Sequence, residues 1–147
     1  MSEATPLKMS LREKAILRDS YAALEDYSDS VIQLFYGRLF EMDPATRPMF
    51  RISIPEQSRK LLEMLSVLVD SVDRPDLLRP RLVELGKKHV AYGVKPEHYK
   101  TLEQALLWAF GRALDGGFDS EPKKCWSKLI GWVAQTMIEG AESSGKV

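Results

Sequence analysis

The sequence predicts an all-α domain. Apolar residues recur at helical spacing almost from end to end, and the joints between periodic stretches carry helix-start and helix-stop chemistry. Strand signals are scarce. The richest β-branched stretch, Arg51-Ile52-Ser53-Ile54, is cut off by Pro55. There is no internal repeat and no low-complexity segment.

Taken in order, residues 1–9 read as a flexible arm. Ser10-Leu11-Arg12-Glu13 is a capping box, in which the serine caps free amides and the glutamate returns the bond, opening a helix over 10–26. A second helix follows over 28–41. Asp43-Pro44 opens a short one over 44–49, and Ile54-Pro55-Glu56 opens one over 55–71. Proline suits these places because its missing N–H costs nothing in a first turn. Pro75 and Pro80 leave the next start ambiguous within a helix over 77–92. Lys95-Pro96-Glu97 starts 96–115, Glu121-Pro122 starts 120–141, and Gly93 and Gly116-Gly117 mark stops. Apolar stripes support the long helices. Leu61, Leu65, Leu68 and Val72 step by 4, 3 and 4, whereas Leu102, Leu106, Phe110 and Leu114 step by 4 each time. Trp126, Leu129, Val133 and Met137 step by 3, 4 and 4. One domain over 10–142 and a frayed tail over 143–147 complete the organisation.

Composition narrows the function. With 147 residues the chain has one core and no room for a second catalytic module. Lys plus Arg equals Asp plus Glu at 21 each, so charge makes no case for nucleic acid or an anionic membrane as the main partner. One cysteine cannot close an intrachain disulfide, which fits a reducing compartment. Cys125, His89 and His98 supply three zinc ligands at best, short of the four that a closed structural site uses. The MSEATPLKMS start lacks the pattern of a secretory signal, and no apolar run approaches the roughly 20 residues of a membrane span. The expectation is a cytoplasmic protein with neither nucleic acid nor membrane as partner.

Chemistry is sought where polar residues interrupt apolar stripes. Leu78, Leu82, Leu85 and His89 step by 4, 3 and 4, so His89 ends an inward column. It is either a satisfied core histidine or a ligand whose second nitrogen is fixed by the Leu85 carbonyl. Gln57 heads the stripe that runs through Leu61. Tyr36 shares a face with Ile32, Leu39 and Phe40, and Phe50 follows Pro44 and Pro48 in an irregular stretch. Taken singly, each of these reads as ordinary packing or as a helix-end residue half in water. Lys60 lies near Gln57 on the helix rim. His98, in a first turn after Pro96, is expected to face solvent without a role. Cys125 reads as a small buried or half-buried residue, and Trp108 and Trp132 as peripheral core in preference to an interface.

As a set these residues are less ordinary. Tyr36, Phe50, Gln57, Leu61 and His89 follow one another at intervals of 14, 7, 4 and 28. Around them stand Leu34-Phe35-Tyr36-Gly37-Arg38-Leu39-Phe40, Arg47-Pro48-Met49-Phe50, Gln57-Ser58-Arg59-Lys60-Leu61 and Lys88-His89-Val90-Ala91-Tyr92-Gly93-Val94-Lys95-Pro96-Glu97-His98-Tyr99. Over residues 10–142 the chain resembles a single-domain bacterial globin, similar to the haem domain of flavohaemoglobins. The resemblance implies a globin fold, a three-over-three helical sandwich around haem b (iron protoporphyrin IX). It implies His89 as the proximal iron ligand, Gln57 and Tyr36 as distal donors to a diatomic ligand, and Leu61 as the apolar residue beside them. Phe50 would pack on the porphyrin, Val94 and Tyr99 would line the proximal side, and Lys60 would meet a propionate. The acceptor that orients His89 would be the Leu85 carbonyl or the Tyr99 hydroxyl. Dioxygen and other diatomic ligands are then the partners, held by donors worth about 1–3 kcal/mol together, a ten- to hundredfold gain in affinity. The alternatives are nitric oxide dioxygenation or nitrite reduction with a separate reductase, and a haem-based sensor or interaction module. Flavohaemoglobins also carry a fused reductase and a proximal glutamate. Here the length leaves no room for the first, and Ala141 stands at the position of the second, with Glu139 and Glu142 on other faces.

Overall fold

The computed structural model describes residues 6–50, 53–116 and 118–145, the last three by backbone alone. Six α-helices and one 3-10 helix follow in chain order: α1 (Leu11–Glu25), α2 (Ser28–Met42), the 3-10 helix Pro44–Met49, α3 (Ile54–Asp70), α4 (Pro75–Ala91), α5 (Pro96–Leu114) and α6 (Ser120–Gly145). No strand occurs among the described residues. The capping box at Ser10 and Glu13 forms as the sequence predicts, with bonds of 2.8 and 3.1 Å. Pro44, Pro55 and Pro96 each occupy a first turn. Gly93 and Gly116 adopt φ of +91° and +89°, the left-handed conformation a helix stop favours.

Several boundaries differ from expectation, most of them by one or two residues. The described part of the N-terminal arm is tied down: Leu7 and Met9 pack on the core, and Lys128 Nζ donates to the Lys8 carbonyl at 3.2 Å. Pro75 rather than residue 77 opens α4, and exposed Pro80 is carried inside that helix. The last helix runs to Gly145, into residues expected to fray. The β-branched stretch is only partly in view, because Arg51 and Ile52 lie outside the described residues, as does Gly117; Ile54 already belongs to α3.

Two couples carry the packing, α4 on α6 and α2 on α5, and α1 lies across α6 while touching α2, α3 and α5. Trp126 and Phe110 meet edge-on at 4.9 Å in the centre, and both are almost wholly buried. The Trp126 indole N–H is satisfied inside the core by the Ser20 hydroxyl at 2.8 Å, which in turn donates to the Ile16 carbonyl at 2.7 Å. The α4–α6 crossing is close because two glycines permit it. A Cβ on Gly86 would strike the Met137 carbonyl, and one on Gly140 would lie 2.9 Å from Val83 Cα. Helices α3 and α4 are consecutive but are not a packed pair: α3 leans on α1, whereas α4 belongs to α6. The candidate site residues lie on α2, just past the 3-10 helix, at the start of α3, at the end of α4 and at the start of α5.

Candidate functional site

On one side stand α2, the 3-10 helix and the start of α3. Tyr36 is buried on α2 with Phe40 one turn later, their rings 5.8 Å apart. Phe50, just past the 3-10 helix, meets Tyr36 edge-on at 5.5 Å and Phe40 at 5.6 Å. This aromatic triad fixes the Tyr36 ring and leaves its hydroxyl facing α3. Burial pushes that hydroxyl up to about 12, and a hydrogen bond with Ser58 pulls back against the shift. The Ser58 hydroxyl itself donates to the Ile54 carbonyl at 2.7 Å. Gln57 is half-buried, and its side-chain amide has no partner among the described residues. Leu61, one turn on, is half-buried against the core, and Lys60 is exposed.

On the other side stands the end of α4. Of the two acceptors expected for His89, the Leu85 carbonyl is the one bonded: Nδ1 donates to it at 2.8 Å. With the proton on Nδ1, Nε2 keeps a free lone pair. Burial lowers the imidazole's affinity for a second proton, and the Leu85 bond only partly opposes this, which favours the neutral ring. Tyr99 is not the acceptor. Its ring lies nearly parallel to that of His89, at 6.2 Å and 20°, and its hydroxyl is pushed up to about 12 by burial alone. Tyr92 tilts against the same imidazole at 6.4 Å. Val94 is half-buried and lines a cavity of about 150 Å³ with Val90, Tyr99, Ile138, Ala141 and Glu142.

Each set is therefore internally connected. No hydrogen bond or ring contact joins Tyr36, Phe50 or Gln57 to His89 or Tyr99. Tyr36 and Gln57 lie on α2 and α3, and His89 and Tyr99 on α4 and α5. An uncommitted imidazole nitrogen on one side and two neutral donors on the other suit a metal-centred group with one open coordination position.

Several neighbours escaped the sequence reading. Ser58 touches Tyr36 from another helix, 22 positions away, and nothing in the spacing marks it. Glu142, expected on another face, rims the Tyr99 cavity. His98, expected in solvent, is half-buried. Cys125 and Trp132 are buried as expected; Trp108 packs on the core but is only partly covered, with Arg38 over its ring at 4.9 Å.

Comparisons with known proteins point the same way. The family model described as Globin matches residues 33–137. An uncharacterized globin-like protein of Aquifex aeolicus is 27% identical over 123 residues, covering 84% of this chain and 87% of the relative. The flavohemoprotein of Deinococcus radiodurans is 28% identical over 129 residues, covering 86% of this chain; the match spans only 32% of that longer protein. Among solved structures, a bacterial globin from Campylobacter jejuni superposes with a TM-score of 0.82 at 23% identity, over 94% of this chain and all of the other.

Proposed function

The chain belongs to the globin family, as a haem-binding globin of three-over-three helical fold, and from that premise we propose that it holds haem b through His89 and reversibly binds dioxygen and other diatomic ligands. The observation that carries this reading is the 2.8 Å bond from His89 Nδ1 to the Leu85 carbonyl. It commits one nitrogen to the protein and leaves the other free, as a neutral imidazole that would hold the haem iron needs. Haem iron, when bound, supplies reversible coordination of the diatomic ligand.

The chain's own residues do the rest. The Leu85 carbonyl holds the imidazole tautomer and orientation, while the parallel ring of Tyr99 limits its rotation. Gln57 brings a side-chain amide with no partner among the described residues, and Tyr36 keeps its proton far into the alkaline range. Both would therefore donate to a ligand that draws negative charge, Tyr36 by turning its O–H from the Ser58 oxygen. Leu61 and Phe50 keep water from that ligand, Lys60 meets a propionate at the rim, and Val94 closes the side of His89. With Ala141 rather than a glutamate at the position beside His89 and Tyr99, ligand binding is favoured over nitric oxide or nitrite turnover with a separate reductase.

Stopped-flow dioxygen release tests the donors. Tyr36→Phe and Gln57→Leu should each speed release, and together by roughly ten- to a hundredfold. Unchanged release in both variants would sink the proposed donor pair.

A further inference from the structure

We propose that His98 is a positioning residue that joins the two walls of the ligand pocket; the inference rests on the site proposed above. His98 caps its own helix. Its Nδ1 accepts the Lys95 backbone N–H at 2.8 Å, closing the first turn of α5 as a glutamate does in an ordinary capping box. An accepting Nδ1 leaves the proton on Nε2. That nitrogen faces Asp43 Oδ2 at 3.8 Å, longer than a direct hydrogen bond, from a side chain only 12% exposed.

Asp43 is itself a joint. It lies between α2, which carries Tyr36 and Phe40, and the 3-10 helix that leads to Phe50. Its Oδ1 accepts the Ala45 N–H at 3.2 Å. Its carbonyl accepts the backbone N–H of Thr46 at 3.0 Å and the hydroxyl of the same buried residue at 2.7 Å. On the other side, His98 directly precedes Tyr99, whose ring lies against His89. One imidazole thus spans from the residue that sets Phe50 to the residue that sets the His89 ring. Loosening it displaces both walls at once.

The test uses the full-length haem protein and reads dioxygen release, haem loss to an apoprotein scavenger, and the Soret band. His98→Leu removes both contacts. It should speed haem loss and shift dioxygen release by about fivefold, the factor a lost helix cap is worth. His98→Gln keeps an acceptor for Lys95 and a donor for Asp43, and should restore the parent rates. Asp43→Asn keeps the Ala45 cap but sets a donor against Nε2–H, and should shift both rates in the same direction as His98→Leu. It carries the test if His98→Leu does not fold. Parent rates in His98→Leu, failure of His98→Gln to rescue, or parent rates in Asp43→Asn would overturn the proposal. These results differ from failure of the underlying site, which would appear as a haem spectrum and affinity indifferent to loss of His89.

Discussion

Gly86→Ala puts the seat of His89 under direct strain. The change adds one methyl group to α4, one turn before His89. That methyl would strike the Met137 carbonyl oxygen and lie 2.9 Å from both Met137 Cα and its carbonyl carbon. Carbon atoms rest at about 3.5–4.0 Å, so α4 must back away from α6 by roughly 0.5–1 Å. Neither neighbour is a side chain that can rotate aside. Overpacking of this kind costs about 1–3 kcal/mol, and a rigid backbone wall favours the upper part of that range. Alanine returns about 0.5–1 kcal/mol through its better helix propensity. The net loss is about 2 kcal/mol, a fall in Tm of roughly 4–8 °C for a chain of this size. Gly37→Ala is the control. Gly37 is exposed inside α2 with nothing within 4 Å of an added Cβ, so only the propensity gain applies and Tm should rise by about 1–4 °C. Thermal melting followed by far-ultraviolet circular dichroism reads both, and Gly86→Ala should also speed haem loss. A Gly86→Ala protein as stable as the parent would refute the claim that backbone contact with α6 sets the position of α4.

Ser20→Ala strips the acceptor from the buried Trp126 N–H and should cost about 1–3 kcal/mol by urea denaturation, whereas a neutral result would mean that the indole finds another partner. Tyr36 sets an alkaline limit. Its hydroxyl titrates at about 12 when folded and near 10 when unfolded, so above about 10 the unfolded chain loses its proton first and stability falls as pH rises towards 12. Tyr36→Phe should flatten that decline in urea midpoints of the haem-free protein, and an equally steep decline in the variant would contradict the burial of the hydroxyl.

The sequence yields most where a single local rule decides. Ser10 and Glu13 satisfy each other within four residues, and Pro44, Pro55 and Pro96 each open a helix because a first turn has no use for their N–H. The His89–Leu85 bond was legible for the same reason, since a helix presents its own carbonyl four residues back. What failed depended on other helices. Pro75 and Pro80 both permit a start, and the packing of Leu78 and Leu82 against the core begins α4 at the earlier one. First-turn position gave His98 to solvent, but a capping bond and Asp43 from a distant segment draw it in. Tyr99 sits on the proper face to reach His89. Whether it offers hydroxyl or ring depends on the angle between α4 and α5, which no spacing encodes. Periodicity set Glu142 on another face, yet it reaches the rim of the cavity beside Tyr99.

The central claim is that His89 holds the haem. The direct measurement is haem titration of the parent and His89→Ala proteins, read by the Soret band and by the rate of haem loss. The account predicts a saturable, one-to-one band for the parent, and for His89→Ala an altered spectrum with much faster haem loss. A His89→Ala protein that keeps the parent spectrum and affinity would contradict it.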